Sequence, residues 1–346
     1  MEGKEDRFMK MSKKLAAILL SVAALVSLTA CNQAQEQSGA KEKITFVLDW
    51  TPNTNHTGLY VALANGYFER EGLEVEVVQP TEGGAEVLVA SGEAQFGVSF
   101  QDSLAPAFAG ESTMPVTAVA AVVQHNTSGI ISRAGEGMDR PKGLEGHKYA
   151  TWDMDIEKAT IEQVMAADGG AFPNVELIPS TVTDEVSALQ SKSVDAIWVF
   201  YGWAGIACEV AGLDTDYFAF ADIDPAFDFY TPVIIGNDNW LEEHPDAARA
   251  FLKALSEGYR YAITNPGEAA DILMEAAPEL AGSAELVYAS QKYMSEQYQA
   301  DAVRWGEFDA ERWGNYYRWL NERELTEGEI DLTVGFTNDY LPEETA

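Results

Sequence analysis

The sequence predicts an α/β protein of two lobes, because short β-rich runs alternate along it with segments of helical apolar spacing. The alternation occurs twice, first over residues 44–124 and again over residues 148–200. Such alternation is typical of parallel sheets joined by crossover helices. The chain has 346 residues, of which 47% are hydrophobic, and this is enough for two domains with buried cores. Each repeat of the pattern is therefore expected to form one lobe.

The N-terminal segment has the layout of an export signal. Lys13 and Lys14 precede an apolar run from Leu15 to Val26, and small residues follow. The run is too short to span a bilayer, which needs about 20 apolar residues. We therefore interpret residues 1–30 as a cleaved signal peptide.

The signal ends in Leu28-Thr29-Ala30-Cys31, which resembles the bacterial lipoprotein box, in which the cysteine is lipidated and becomes the new N-terminus. An ordinary signal peptide with a cysteine near its cleavage point is the alternative. Residues 31–43 are polar and contain no aromatic side chain, as expected of a tether between a lipid and a folded domain. The sequence predicts a protein anchored by lipid on the extracytoplasmic face of the cell membrane.

Charge and composition exclude several classes of function. The formal net charge of −34 repels nucleic acid and anionic membrane surfaces, so neither is an expected partner. The four histidines lack metal-ligand spacing, and no metal site is predicted. The chain contains two cysteines; with Cys31 lipidated, Cys208 has no disulfide partner, and its apolar surroundings predict a buried, unreactive thiol.

The first lobe is predicted to contain residues 44–124 and, after the chain returns, residues 231–346. An apolar run over residues 116–124 ends at a polar break, where we place the first crossing between lobes. The strands predicted in the first part of this lobe are 44–48, 73–78 and 96–99, and the helices are 58–68, 81–91 and 102–109.

The second lobe is predicted over residues 125–230, with the chain returning through residues 230–236. Its pattern gives strands at 148–151, 175–178 and 196–200 and helices at 156–168 and 184–191, whereas the helices predicted after the return are 246–261, 266–277 and 309–320. Two lobes joined by two crossings form a cleft, and ligands of α/β sheets bind outside the carboxyl ends of the strands.

A long motif follows the first predicted strand. It runs from Asp49 to Ala62 (DWTPNTNHTGLYVA), and Gly-Tyr-Phe-Glu-Arg-Glu-Gly-Leu follows at 66–73. Here the chain resembles the substrate-binding lipoproteins of bacterial ABC importers in the NMT1-like family, which bind thiamine pyrimidine precursors such as formylaminopyrimidine. Residues 98–102, 144–148 and 200–203 continue the resemblance in the expected order. The motif at 66–73 is shared with binders of nitrate, sulfonates and taurine.

The resemblance implies a two-lobed periplasmic-binding-protein-like fold of type II with its ligand in the inter-lobe cleft. It implies a monomer, without cofactor, that passes a formylaminopyrimidine- or hydroxymethylpyrimidine-like heterocycle to an ABC permease and its ATPase. A riboflavin-type heterocycle, a sulfonate or taurine is the alternative ligand. Arg133 and Lys148, the bases nearest the predicted strands, lie outside the strand-end loops, which disfavours an acidic ligand. A pyrimidine synthase is disfavoured because the cysteine-rich segment of the related fungal enzymes is missing.

Aromatic residues follow the predicted strand ends in both lobes. Trp50 and Phe100 do so in the first lobe, and Trp152, Tyr201 and Trp203 do so in the second. A flat heteroaromatic ligand requires aromatic faces for stacking and hydrogen-bonding groups at its edges. Aromatic residues at strand ends can also cap a core. Their occurrence at equivalent places in both lobes favours a ligand site.

Polar residues crowd the loop after the first strand. Asp49, Asn53 and His56 can accept a hydrogen bond from an exocyclic amine or donate one to a ring nitrogen. Asn53 and Asn55 can instead form only a turn. We favour Asn53 and His56 as ligand contacts and rank Asp49 below them.

Further polar contacts are predicted near the third strand. Gln101 either contacts the ligand or caps the next helix, for which Asp102 is the better cap. Gly83-Gly84 either cradles an anion or forms a tight turn. The predicted ligand contacts are Asp49, Trp50, Asn53, His56, Tyr60, Ser99, Phe100, Gln101, Trp152, Tyr201 and Trp203.

Overall fold

The computed structural model describes residues 41–80, 84–110 and 114–343. The predicted signal peptide, the lipidation site Cys31 and Gly83 lie outside these residues. Within the described ranges, none of the helices combines the length and the apolar character that a membrane crossing requires. The description below concerns the compact unit that begins at Lys43.

The strands form two five-stranded sheets in the described part of the chain. The first sheet has the order β2-β1-β3-β10-β4 and the second has the order β7-β6-β8-β5-β9. The strands are β1 (Glu42–Val47), β2 (Leu73–Val78), β3 (Phe96–Ser99), β4 (Val116–Ala121), β5 (Ser128–Arg133), β6 (Lys148–Thr151), β7 (Glu176–Pro179), β8 (Ala196–Phe200), β9 (Thr215–Ala219) and β10 (Val233–Asn237). The chain thus has the predicted two-lobed α/β fold.

The helices flank these sheets. They are α1 (Thr57–Ala64), α2 (Tyr67–Arg70), α3 (Gly84–Ala90), α4 (Gln101–Phe108), α5 (Asp155–Ala167), α6 (Glu185–Gln190), α7 (Ile206–Val210), α8 (Asp238–Glu243), α9 (Pro245–Thr264), α10 (Pro266–Ala276), α11 (Ala284–Gln297) and α12 (Ala310–Glu322). A π-helical turn spans Tyr201–Gly205, and 3-10 turns span Thr54–His56, Pro141–Leu144, Phe172–Asn174, Pro225–Phe227 and Pro278–Ser283.

The sheets are mixed: the predicted parallel pairing joins β1 to β3 and β6 to both β7 and β8, but each sheet also contains antiparallel pairs. β10 runs antiparallel to both β3 and β4, and β5 runs antiparallel to both β8 and β9. The first residue of β10, Val233, pairs with the last residue of β3, Ser99. The returning chain therefore enters the first sheet at the edge where β3 ends, which forces β10 to run in the opposite direction.

The crossings between the sheets are short. β4 of the first sheet ends at Ala121 and β5 of the second begins at Ser128, whereas β9 ends at Ala219 and β10 begins at Val233. The predicted lobe boundaries at 124/125 and 230/231 lie within these two connecting segments. Residues 44–124 and 231–346 were predicted as one lobe, and β1 to β4 share their sheet with β10.

Most predicted elements lie within a few residues of their observed bounds, but α7, α8, α11 and β9 were not predicted. The buried positions of α11 are Val287, Ser290, Gln291 and Met294. This spacing places them on one helical face, but two of the four are polar, which hides the apolar period. The predicted helix 58–68 is interrupted at Gly66, whose φ of 67° lies in the left-handed region.

Two of the predicted local roles have different outcomes. Cys208 is fully buried, as predicted, and burial raises the pKa of its thiol to about 11. Asp102 was predicted to cap the next helix, but α4 already begins at Gln101 and the capping position is Phe100, whose side chain accepts no hydrogen bond. Asp102 therefore lies inside the first turn.

Helix α9 packs closely on α1 and fixes the loop that precedes α1. A Cβ atom on Gly258 of α9 would lie 2.0 Å from the carbonyl oxygen of Gly58 in α1, so only glycine allows this approach. The next residue, Tyr259, donates a hydrogen bond of 2.6 Å to the carbonyl oxygen of Asn55. The close helix contact therefore positions residues 49–56.

We expect Gly258→Ala to lower the free energy of unfolding by about 1–3 kcal/mol, because the added methyl group forces α9 away from α1. The matched control is Gly267→Ala in α10, where a Cβ atom meets nothing within 4 Å and the substitution is expected to be neutral or stabilising by up to about 1 kcal/mol. Urea unfolding measures both variants. Equal stability of the two would contradict the close approach.

The buried carboxyl of Asp102 makes stability depend on pH. Its Oδ1 atom is inaccessible and has no hydrogen-bond partner within the described residues, and burial raises the pKa of the group to about 6. Because the folded-state pKa exceeds the unfolded one, stability from this group is present below pH 4 and is lost as pH rises through about 6. Asp102→Asn is expected to stabilise the protein by about 2–3 kcal/mol at pH 8 and little at pH 4.

Urea unfolding of wild type and Asp102→Asn at both pH values tests this expectation, since the difference between the two proteins cancels the titration of other groups. A stability difference that is the same at pH 4 and pH 8 would show that this carboxyl does not titrate as described.

Candidate functional site

A cavity of about 380 Å³ lies where strand ends of the two sheets meet. Its walls come from the residues that follow β1, β3, β6 and β8, together with the segment before β10 and the start of α6. The lining residues are Asp49, Trp50, Asn53, Asn55, Phe100, Trp152, Thr183, Glu185, Trp198, Val199, Phe200, Trp203, Ala204 and Pro232. Larger grooves of about 580 and 600 Å³ elsewhere on the described surface are lined mainly by charged and polar residues.

Aromatic side chains from both lobes form the walls of this cavity. Trp50 is 54% exposed and Trp152 is 45% exposed, which is unusual for tryptophan and leaves ring surface available to a ligand. The rings of Phe100 and Phe200 stack across the two lobes, with centroids 6.4 Å apart and an interplanar angle of 17°. Trp152 also packs on Trp198 at 5.6 Å.

In the loop after β1, a buried histidine holds a carboxylate at the cavity by a hydrogen bond. His56 accepts a hydrogen bond of 3.2 Å from the backbone N–H of Asn53 on Nδ1, so its Nε2 carries the proton. Nε2 donates that proton to Asp49 Oδ1 at 2.7 Å. His56 is 1% exposed and does not line the cavity. It orients Asp49, whose role the sequence ranked below that of His56.

Asn53 lines the cavity, but much of its hydrogen-bonding capacity is used locally. Its side-chain oxygen accepts from the N–H of Asn55 at 2.8 Å, and its amide nitrogen donates to the carbonyl oxygen of Thr51 at 3.2 Å. Asn53 therefore forms the turn that the sequence allowed, and it also lines the cavity.

Glu157 holds the aromatic loop of the second lobe, and sequence reasoning missed it. This buried side chain accepts hydrogen bonds from the hydroxyls of Tyr149 (2.6 Å) and Thr151 (3.0 Å) and from the N–H of Trp152 (3.1 Å). Glu157 lies in the first turn of α5. Acidic residues are common at that position in helices, so the sequence does not distinguish Glu157 from an ordinary helix start. Its contacts fix the end of β6 and hence Trp152.

Two carboxyl groups, Asp49 and Glu185, face the cavity, and none of its lining residues is Lys or Arg. Burial and the neighbouring charge of Asp184 raise the pKa of Glu185. Arg133, considered from sequence as a possible anion ligand, instead contacts Glu136 and Asp195. The cavity is therefore suited to hydrogen-bond donors and cations rather than to anions.

Six of the predicted ligand contacts line the cavity and five do not. The six are Asp49, Trp50, Asn53, Phe100, Trp152 and Trp203. The other five do not line it: His56 lies behind Asp49, to which it is hydrogen-bonded, and Tyr60, Ser99, Gln101 and Tyr201 have partners elsewhere.

The reasons for these placements are local. Ser99 is buried in β3 and donates to Glu86, and Gln101 bridges two elements by donating to the carbonyl of Trp313 and accepting from the N–H of Tyr230. Tyr60 packs on the hydrophobic cluster formed by α10 and α11.

Tyr201 belongs to the π-helical turn, where its ring packs against Tyr217 and Tyr293 and its hydroxyl donates to Glu209. The lining residues Thr183, Glu185, Trp198 and Phe200 were not predicted. Phe200 ends β8 and belongs to the family motif at residues 200–203, and this motif was the signal that could have identified it as a lining residue.

We expect Glu157→Ala to lower the free energy of unfolding by about 2–4 kcal/mol, because three buried donors lose their acceptor. Glu162→Ala, on an exposed position of the same helix, is the control and is expected to change stability by less than about 0.5 kcal/mol. Urea unfolding distinguishes them, and a small effect at Glu157 would argue against its role in fixing β6.

Comparison with known proteins gives one family match. The family described as NMT1/THI5 like matches residues 53–269, which include the cavity loops from Asn53 to Pro232. The formylaminopyrimidine-binding protein of Halalkalibacterium halodurans is 28% identical over 331 residues, covering 94% of this chain and 98% of that protein.

More distant similarities extend to an enzyme and to a sulphonate-binding protein. A 4-amino-5-hydroxymethyl-2-methylpyrimidine phosphate synthase of Saccharomyces cerevisiae is 24% identical over 258 residues, covering 69% of this chain and 72% of the enzyme. The crystal structure of the periplasmic aliphatic sulphonate binding protein SsuA of Escherichia coli matches with a TM-score of 0.65 at 14% identity, covering 88% of this chain and 93% of that one. This last similarity concerns the fold alone.

Proposed function

Because the chain belongs to the NMT1/THI5-like family, we propose that it is the substrate-binding protein of an ABC importer for a thiamine pyrimidine precursor. Formylaminopyrimidine, or a hydroxymethylpyrimidine-like heterocycle, is the proposed ligand. The observation that carries the proposal is a cavity with aromatic side chains from both lobes, two carboxyl groups and no Lys or Arg among its lining residues. The similarity to a formylaminopyrimidine-binding protein over 94% of the chain supports it.

The chemistry of an aminopyrimidine matches these groups. Its flat ring stacks on the exposed faces of Trp50 and Trp152, which come from opposite lobes. Its exocyclic amine donates hydrogen bonds, and the carboxylates of Asp49 and Glu185 accept them. A volume of about 380 Å³ lies within the usual range for small-molecule sites. We therefore expect the two tryptophans to hold the ring by stacking and the carboxylates to select for amino groups.

A sulfonate or taurine is a weaker candidate in spite of the fold similarity to SsuA. A sulfonate group would face Asp49 and Glu185, and no Lys or Arg lines the cavity to balance their charge. A negatively charged ligand would therefore be repelled.

A pyrimidine synthase is the second alternative, because fungal relatives are synthases. We propose binding without catalysis. Incubation of formylaminopyrimidine and of 4-amino-5-hydroxymethyl-2-methylpyrimidine with the purified protein, followed by mass spectrometry, tests this. Unaltered recovery of both compounds supports a binding protein, whereas multiple turnovers to a new product would establish an enzyme.

The proposal includes the location of the protein and its partners. Lipid attachment at Cys31 would hold it on the extracytoplasmic face of the membrane, where it would act as a monomer and deliver its ligand to a permease driven by an ATPase. Mass spectrometry of the protein purified from the membrane fraction of its host tests the anchor, since a diacylated cysteine adds a defined mass and an unmodified chain would contradict it.

We expect Trp50→Ala and Trp152→Ala each to raise the Kd for formylaminopyrimidine by about fivefold to a hundredfold, because stacking of one base on one aromatic ring contributes about 1–3 kcal/mol. Isothermal titration calorimetry measures Kd. Tyr288→Ala, which removes an exposed aromatic ring outside the cavity, is the control and is expected to bind as wild type does. Wild-type protein that binds neither pyrimidine would overturn the proposed ligand.

A further inference from the structure

A chain of buried hydroxyl groups connects the two lobes behind the cavity. Thr54 lies in the loop of the first lobe, Ser290 lies on α11, and Gly202 lies in the π-helical turn that follows β8 of the second lobe. Thr54 Oγ1 and Ser290 Oγ are 2.7 Å apart, and Ser290 donates a hydrogen bond to the carbonyl oxygen of Gly202. Thr54 is 2% exposed and Ser290 is fully buried.

The direction of these hydrogen bonds follows from the single proton of each hydroxyl. Ser290 uses its proton toward the Gly202 carbonyl, so Thr54 must donate to Ser290 Oγ. No other side chain of the described residues hydrogen-bonds the Ser290 hydroxyl. Loss of Ser290 Oγ would therefore remove the acceptor of the buried Thr54 hydroxyl on one lobe and the side-chain donor to the Gly202 carbonyl on the other.

The turn that contains Gly202 packs closely against α11 around the hydrogen bond from Ser290. A Cβ atom on Gly202 would lie 2.5 Å from Met294 Sδ, so the turn approaches α11 as closely as glycine permits. The next residue, Trp203, packs on a buried cluster of α10 and α11 that includes Leu273 and Val287, and it also lines the cavity. The same turn thus forms one cavity wall and docks on the first lobe.

Each end of the hydroxyl chain is adjacent to a cavity wall. Thr54 is flanked by Asn53 and Asn55, which both line the cavity, and Gly202 precedes Trp203. We propose that Ser290 is a positioning residue for ligand binding: it sets the separation between the loop of the first lobe and the aromatic turn of the second without touching the ligand. The ligand measurement below rests on the proposed function, whereas the hydrogen-exchange measurement does not.

The affinity test uses four single variants. Ser290→Ala and Thr54→Val break the chain, whereas Ser132→Ala and Thr160→Val remove hydroxyls of equal burial that bond within the second lobe. We expect the first two to raise the Kd for formylaminopyrimidine about tenfold and the controls to stay within about twofold. The double variant Ser290→Ala/Thr54→Val should bind no more weakly than Ser290→Ala, because both act on one connection. A wild-type Kd in Ser290→Ala, or equal effects in the controls, would overturn the proposal.

Hydrogen exchange of the ligand-free protein tests the connection independently. Ser290→Ala should accelerate amide exchange in residues 54–57 and in residues 201–206 together, whereas Ser132→Ala should leave both segments unchanged. Acceleration in only one segment, or throughout the protein, would overturn the positioning role. Where Ser290→Ala fails to fold, Thr54→Val provides the test: it keeps the bond from Ser290 to Gly202, so it should accelerate exchange in residues 54–57 and leave residues 201–206 unchanged. Unchanged exchange in residues 54–57 would then overturn the positioning role. Wild-type protein that binds no pyrimidine while the two segments respond together would reject the proposed ligand and retain the positioning role.

Discussion

The pairing of β10 with both β3 and β4 is the constraint on which the site depends. The chain leaves the first sheet after β4, forms the second sheet and then returns to the first, where β10 lies between β3 and β4. Backbone hydrogen bonds to both neighbours hold the return at Val233, which pairs with Ser99 at the end of β3. This pairing brings Pro232 and Phe100 to the same cavity and fixes both crossings between the lobes.

The cavity itself combines rigid supports with exposed ring surface. Buried polar groups that do not line it determine where the lining groups lie: His56 orients Asp49, and Glu157 holds the residues around Trp152. Buried donors and acceptors of this kind require partners, so each adopts a single arrangement. Trp50 and Trp152 remain exposed, while His56 and Glu157, which do not line the cavity, hold the residues around them.

Both the whole chain and the cavity are acidic. The formal net charge is −34, and the cavity contributes Asp49 and Glu185 without a lining Lys or Arg. Arg133 is the last residue of β5. Its guanidinium donates hydrogen bonds to Glu136, Asp195 and two backbone carbonyl oxygens. The acidic lining of the cavity therefore results from the placement of basic residues outside it, and this lining fits the proposed aminopyrimidine.

The sequence by itself determined the alternation of strands and helices, the two lobes and the strand-end aromatics, because these depend on local periodicity and on turns. The tertiary structure decided which polar groups face the cavity. Ser99, Gln101 and His56 satisfy buried partners that lie far along the chain or inside their own turn, and no local pattern reports such pairing. Likewise Glu185 and Trp198 reach the cavity, and β10 reverses the expected sheet direction, only because distant segments pack together.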